Sequence, residues 1–290
     1  MAKAGLILLS GLLYAVSIAC LGLAGRSIPP LTLTALRLTL ASLVFAVLLL
    51  IFRPRFDWRP SRLFDIALIG LLNVGLPFMM LAVALRTISG ALAAVLFNMT
   101  VPMTLLMAHF LLPDEKLTPG KIAGCAAALA GAAVLIGSNT SGLSAGQQNG
   151  WIGQALIIAA SLAGAAAVIY TRRRARDEQT MVLAAGQLFI NLPLALLLML
   201  AIEGKPSPAA YPSQALVALT GAAVIGPVVA LWLLFHIINR FSASLGGYAG
   251  IATPFFSAVI GMLLLGEVIS PLMAAGSSLL LVGVWSLNQL

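Results

Sequence analysis

The sequence predicts an all-α integral membrane protein: ten transmembrane helices in two inverted five-helix repeats, with the N- and C-termini both cytoplasmic. Three observations predict it. Hydrophobic residues make up 61% of the 290-residue chain and charged residues only 8%, against about a quarter charged in soluble domains. Ten apolar runs reach about 20 residues, enough to cross a bilayer as helices with every backbone donor and acceptor satisfied internally. A motif from the middle of the chain also returns near its end.

The first span, residues 4 to 23, follows Lys3 and ends before Arg26. Its Ser17-Ile18-Ala19-Cys20 has the look of a lipidation box, but nine further spans favour a retained helix over a cleaved signal. The second, 31 to 52, closes at Arg53 and carries Arg37 six residues in. A cation in hydrocarbon is costly, so its guanidinium is expected to snorkel to the outer interface or to bond neighbouring helices. Spans three and four, 63 to 85 and 88 to 111, are parted by Arg86 and interrupted by Pro77 and Pro102. Span five, 118 to 137, opens with Thr118 as N-cap and Pro119 at the first helical position, where a missing amide hydrogen costs nothing. The polar, uncharged run Ser138 to Asn149 reads as a flexible external linker. Spans six and seven, 151 to 170 and 181 to 201, flank the basic run Arg172, Arg173, Arg174 and Arg176. Spans eight and nine, 214 to 236 and 242 to 264, hold Pro227 and Pro254, and span ten runs from 271 to 288 behind Ser270. The divisions are therefore a first repeat 1–137, a linker 138–150 and a second repeat 151–290. Cys20 and Cys125 lie inside spans and read as small core residues, with neither a disulfide framework nor a metal site suggested.

A net charge of +8 raises the question of a nucleic-acid partner. The basic residues alternate by loop instead. With a cytoplasmic N-terminus, twelve fall on the inner side: Lys3, Arg53, Arg55, Arg59, Arg62, Lys116, Lys121, Arg172, Arg173, Arg174, Arg176 and Arg240. Only Arg26, Arg86 and Lys205 fall outside. That asymmetry orients membrane proteins. The partners it leaves are membrane lipid and a small-molecule substrate, with no nucleic acid.

At a constant offset of 152, Pro102 matches Pro254, Glu115 matches Glu267, Thr118 matches Ser270, Pro119 matches Pro271, Gly124 matches Gly276 and Gly131 matches Gly283. A gap-free set of this kind marks an internal duplication. Five spans per copy is an odd number, so the second copy enters the membrane from the opposite side. Inverted halves are a recurring route to alternating access around a mid-depth solute. Glu115 and Glu267 are expected near the positive ends of spans five and ten. Gly124, Ala127 and Gly131, with Gly276 and Gly283, are expected to form a close helix seam. Since both halves occur in one chain, a monomer is expected.

Counting about 1.5 Å of rise per residue places Tyr14, Ser17, Asn73, Asn98, Thr100, Ser161 and Thr253 near mid-depth. Each either bonds a neighbouring helix or lines a cavity; together they suggest a shared one. Phe78, Met79, Trp232 and Tyr248 offer bulky or adaptable walls nearby, with ordinary packing as the alternative. Pro77, Pro102, Pro227 and Pro254 are candidate hinges, since each removes a backbone bond. No Asp or Glu stands at the middle of a span, which points to facilitated passage without a membrane-embedded carboxylate. Coupling through a histidine or an interfacial carboxylate stays open, as does a proton-coupled drug or cation exporter. His109 and Asp114 have the His-x4-Asp spacing of acyltransferases, but the pair straddles a helix end, and no other catalytic motif accompanies it. No glycine loop for a nucleotide appears, and no cofactor is expected.

Arg37 within PLTLTALRLTLASL, the doubled Pro and Glu-x-x-Thr/Ser-Pro pattern, and the two five-helix halves resemble the EamA-domain branch of the drug/metabolite transporter superfamily. The likeness covers nearly the whole chain. It implies a ten-helix carrier of the bacterial inner membrane, often an exporter of amino acids or related metabolites, with a cavity lined by helices one, three, four, six, eight and nine. Within that branch the chain looks most like the YddG-type aromatic amino-acid exporters. A sugar-nucleotide or phosphate-ester carrier is the nearest alternative, though spans eight to ten carry no buried Lys or Arg to hold such a cargo. Gln187 stands in the second half about where Arg37 stands in the first, so the halves differ chemically.

Overall fold

The computed structural model describes residues 2–52, 59–112, 117–137, 141–143, 150–175, 179–207, 209, 211–230, 233 and 243–289. These residues form helices and no strand. In chain order they are α1 (Ala2–Gly25), α2 (Pro30–Phe52), α3 (Pro60–Ala84), α4 (Gly90–Leu111), α5 (Pro119–Gly137), α6 (Trp151–Arg174), α7 (Thr180–Leu198), α8 (Ser213–Ala230), α9 (Ala243–Ile260) and α10 (Pro271–Gln289). Eight described helices are long and apolar enough to cross a membrane, and the apolar helices Ala252–Leu265 and Pro271–Leu287 complete the ten. The chain is a multi-pass membrane protein. Its outward-facing side chains agree, since Leu50, Phe52, Phe110, Val217, Phe255 and Leu263 are all exposed and apolar.

The local signals act as expected at two helix starts. Lys121 N–H donates to Thr118 Oγ1 (3.4 Å) and Met273 N–H to Ser270 Oγ (3.1 Å), so both hydroxyls cap and both prolines follow them. Three helices are irregular beside a proline, which cannot donate a backbone hydrogen bond. In α3 a π turn, Leu71–Gly75, precedes Pro77; α8 ends in a π stretch, Ile225–Ala230, that contains Pro227. In α4 the regular helix stops at Phe97 and resumes at Thr100, just before Pro102. Pro254 is accommodated inside α9 without a break, and π turns finish α7 at Met199–Glu203 and α9 at Gly261–Leu265.

The repeats interlock. The first helix of each half packs on the third and fourth helices of the other: α1 lies against α8 and α9, and α6 against α3 and α4. Helix α2 packs on α7, and α5 on α10. This is the contact pattern of two inverted copies related by a pseudo-two-fold. The α5–α10 seam is the tightest contact. A Cβ at Gly131 would lie 2.7 Å from the Gly276 carbonyl, and one at Gly283 would lie 2.7 Å from the Gly124 carbonyl. The buried small residue between them is Ala128 rather than Ala127, which is only half-buried. Bilayer helices gain little by hiding apolar surface from one another, so close backbone contact and dispersion hold such a seam. Leu135 and Leu280 are wholly buried beside it.

Candidate functional site

Two polar seats sit where the second helix of one half meets the third helix of the other. In the first, Arg37 on α2 is 6% exposed. Its Nε donates to the Ala222 carbonyl of α8 (3.2 Å), and its Nη2 donates to Ser17 Oγ of α1 (3.4 Å). Ser17 in turn donates to the same Ala222 carbonyl (3.0 Å). The guanidinium carbon lies 4.2 Å from the centre of the Phe78 ring of α3, a cation–π geometry. Tyr14, half-buried on α1, is within electrostatic reach. Gly226 leaves room for all this, since a Cβ there would collide with Ser17 Oγ and lie 3.1 Å from Arg37 Nη2. Arg37 therefore does not snorkel: three helices enclose it and its partners are within reach inside the protein.

The second seat is its counterpart. Gln187 on α7 follows Arg37 by 150 positions, as Pro227 follows Pro77. Its Oε1 accepts from Asn73 Nδ2 (2.8 Å) in the π turn of α3. Asn191, one turn on, donates to the Gln187 carbonyl (2.8 Å), and a Cβ at Gly75 would lie 2.7 Å from its Oδ1. The same architectural need, tying a second helix to the other half's irregular third helix, is thus met by a charged group once and by a neutral amide once.

A third polar group gathers at the break in α4. Ser161 of α6, fully buried, donates to the Leu96 and Phe97 carbonyls (3.3 Å each). Thr100 Oγ1 donates to the Phe97 carbonyl (2.8 Å), and Asn98 Nδ2 to the Ala94 carbonyl of its own helix (2.8 Å). Carbonyls loosened by a helix break are natural partners for such groups. The sequence-predicted residues consequently fall in three places. Tyr14, Ser17 and Phe78 surround Arg37, Asn73 meets Gln187, and Asn98, Thr100 and Ser161 collect at the α4 break. Met79 packs half-buried on the α2–α3–α7 core, and Thr253 is buried on α9. The side chains of Trp232 and Tyr248 lie outside the described residues. Gln187 and Asn191 were missed as contact-makers. The four-residue spacing of these two polar residues within α7, with Gln187 matched to Arg37 by the 150-residue offset, is the signal that finds them.

Ties between the halves stand at both ends. On the side assigned outside, Gly90 N–H donates to Glu267 Oε1 (2.7 Å) and Ala91 N–H to Oε2 (3.3 Å). Glu267 thus serves the start of α4, not the start of α10 as expected. The cause is Gly266, whose φ of +68° turns the chain back so that the next side chain crosses to the other half. Burial pushes the Glu267 carboxyl above its usual range, while the Gly90 and Ala91 amides and the Arg26 charge pull it down. Glu267 also walls a narrow cleft with Ala15, Ile18, Ala19 and Ser257. Glu203, at the end of α7, likewise accepts from the Leu31 and Thr32 amides (3.0 and 2.7 Å) at the start of α2. The described part of the linker is docked rather than free: Ser89 N–H donates to the Ser141 carbonyl (2.7 Å) and Val268 N–H to the Gly142 carbonyl (2.8 Å). On the inner side Tyr170 donates to Asp65 (2.7 Å), Arg62 to the Arg174 carbonyl (2.7 Å) and Arg173 to the Leu111 carbonyl. His109 Nδ1 accepts from Leu117 N–H (3.2 Å), an interfacial bond, and Asp114 and Glu115 lie outside the described residues.

No curated protein matches the chain. A solved structure described only as the crystal structure of a protein superposes with a TM-score of 0.67 at 22% identity, covering 99% of this chain and 96% of that one. That likeness carries the fold. The model of the EamA-like transporter family matches residues 1–137 and again 151–289. Two matches to one family, falling on two interlocked halves whose third helices both carry a π stretch beside a proline, leave one conclusion: this chain belongs to the EamA-like transporter family, whose members carry small solutes across membranes.

Proposed function

We propose that this protein exports amino acids, aromatic and apolar ones among them, from the cytoplasm across a bacterial inner membrane by alternating access, as facilitated diffusion. The observation that carries the reading is the pair of polar seats at the irregular stretches of α3 and α8, where the two halves meet. A solute held there touches both halves. Loosened backbone at such a site supplies hydrogen-bonding groups inside the membrane and lets a helix bend. Phe78 gives the first seat an apolar flank suited to an apolar side chain. The family is one of transporters, and the His109–Asp114 spacing finds no catalytic companion.

The test is efflux from proteoliposomes loaded with a panel of labelled amino acids, using wild type and Phe78→Ala. The expected result is efflux above that of protein-free liposomes for phenylalanine, tyrosine or leucine, reduced about tenfold or more in the variant, equivalent to about 1.4 kcal/mol. Rates equal to protein-free liposomes across the whole panel contradict the proposal.

A second reading, coupling to protons, is favoured by one observation: Glu267 is a buried carboxylate clamped across the halves at the outer end. Protonating it turns one of the two acceptor oxygens at the start of α4 into a hydroxyl. A pH gradient imposed at constant membrane potential separates the two, since facilitated diffusion leaves the initial efflux rate unchanged and coupling through Glu267 raises it.

A further inference from the structure

We propose that the Arg37 guanidinium is the anchor for the carboxylate of the transported solute. The inference rests on the transport reading above and adds a binding residue and a ligand charge to it. Sequence reasoning offered Arg37 a structural role, and the Nε and Nη2 contacts fulfil one. They use only part of the group. A guanidinium carries five N–H donors, and Nη1 is buried without any hydrogen-bond partner among the described residues.

The charge is unmatched as well. The chain has eight acidic residues. Glu203 and Glu267 clamp the starts of α2 and α4, and Asp65 accepts from Tyr170. The remaining five, Asp57, Asp114, Glu115, Asp177 and Glu178, belong by sequence to loops on the cytoplasmic side. Arg37 lies seven residues from the outer end of α2 and fifteen from Phe52, which at about 1.5 Å per residue is about 22 Å from the inner end. No carboxylate among the described residues pairs with it. A buried cation lacking a counter-ion is strongly disfavoured, whereas one completed by a bound anion is not.

Gln187 shows that the charge is not needed to hold the helices together. At the matching place in the second half a neutral amide makes the corresponding cross-repeat link, and its oxygen is taken by Asn73. The first seat alone therefore keeps an unspent donor and a full positive charge. Gly226 lets the α8 backbone come close to the group, because any Cβ there would press on Ser17 and Nη2. The Phe78 face lies against the guanidinium, leaving the planar edge as the direction for a ligand. The chemistry matched is a small carboxylate bearing an apolar group.

The experiment measures inhibition of labelled phenylalanine counterflow in proteoliposomes, and thermal stabilisation of the purified protein, by four probes: phenylalanine, phenylalaninamide, phenylacetate and inorganic phosphate. Phenylalaninamide keeps the ring and ammonium without the carboxylate; phenylacetate keeps the carboxylate without the ammonium. In wild type, phenylalanine and phenylacetate are expected to act at concentrations at least tenfold below phenylalaninamide. In Arg37→Gln that preference should fall to less than twofold, and Arg37→Lys should retain part of it. Should Arg37→Gln fail to fold, Arg37→Lys and the wild-type probe series decide. The proposal is overturned by equal potency of acid and amide in wild type, by a folded Arg37→Gln protein that keeps the preference, or by phosphate outperforming both carboxylates. Absence of phenylalanine counterflow counts against the transport reading alone, because carboxylate-dependent stabilisation is read without transport; absence of that stabilisation in wild type counts against the anchor.

Discussion

Glu267 shows what a single side chain does across a repeat boundary. Its two oxygens satisfy the first two amides of α4, which would otherwise be orphaned at a buried helix start. Hydrogen bonds to a charged acceptor are worth about 1.5–3 kcal/mol each. Glu267→Ala should therefore lower the thermal midpoint in detergent by several degrees, while Lys205→Ala, at a solvent-facing turn, should leave it unchanged. Because burial raises the Glu267 carboxyl, the folded protein retains a proton there that the unfolded chain has released once pH passes about 4.3. Its contribution to stability accordingly falls as pH rises through the raised value and is flat beyond it. Glu267→Gln should abolish that decline, measured as midpoint against pH. At this scale the sequence is legible where the partner is local. Thr118 and Ser270 cap the amides three positions on, so spacing suffices to find them. Glu267 has a partner 177 residues away, and only the fold, through the left-handed Gly266, reveals which helix it serves.

Among the elements, helix positions were readable because an apolar run of spanning length leaves the backbone no other way to pair its polar groups. Pro77, Pro102 and Pro227 marked three irregular helices for the same reason, whereas Pro254 sits in an unbroken stretch of α9. The polar residues at mid-depth were not readable as to role. Ser17, Ser161 and Asn98 turned out to answer carbonyls of particular helix turns, and which carbonyls come loose depends on how α4 and α8 break. The seam of α5 and α10 gives a sharp prediction. A Cβ at Gly131 would stand 2.7 Å from the Gly276 carbonyl, whereas one at Gly137 meets nothing within 4 Å. Gly131→Ala should cost about 1–3 kcal/mol by overpacking, and Gly137→Ala should cost little, both read by thermal unfolding. The linker offers another. Gly142 has φ +70° and sits against Ser89 and Met273, so Gly142→Val should undock residues 141–143. Faster amide exchange at Ser89 and Val268, whose N–H groups donate into that turn, is the expected readout.

For the whole molecule, interlocking changes what alternating access requires. With α1 packed on α8 and α9, and α6 on α3 and α4, each half carries the other's first helix. Motion is then a rearrangement around α1 and α6 rather than two blocks parting at a flat interface. The outer clamps, Glu203 on α2 and Glu267 on α4, join opposite halves, and under the proposed export they must open for a solute to leave outward. The inner bonds from Arg62, Tyr170 and Arg173 must open for it to enter. Duplication and inversion were legible from the offset of 152 and the odd span count. The interlocking was not, because no pattern within either copy states which copy its first helix will join. The most direct measurement is counterflow in proteoliposomes: unlabelled phenylalanine inside, a trace of labelled phenylalanine outside. A solute seat opening alternately to each side predicts saturable uptake with a transient accumulation of label above equilibrium. Linear uptake without accumulation, indifferent to the unlabelled pool, contradicts it.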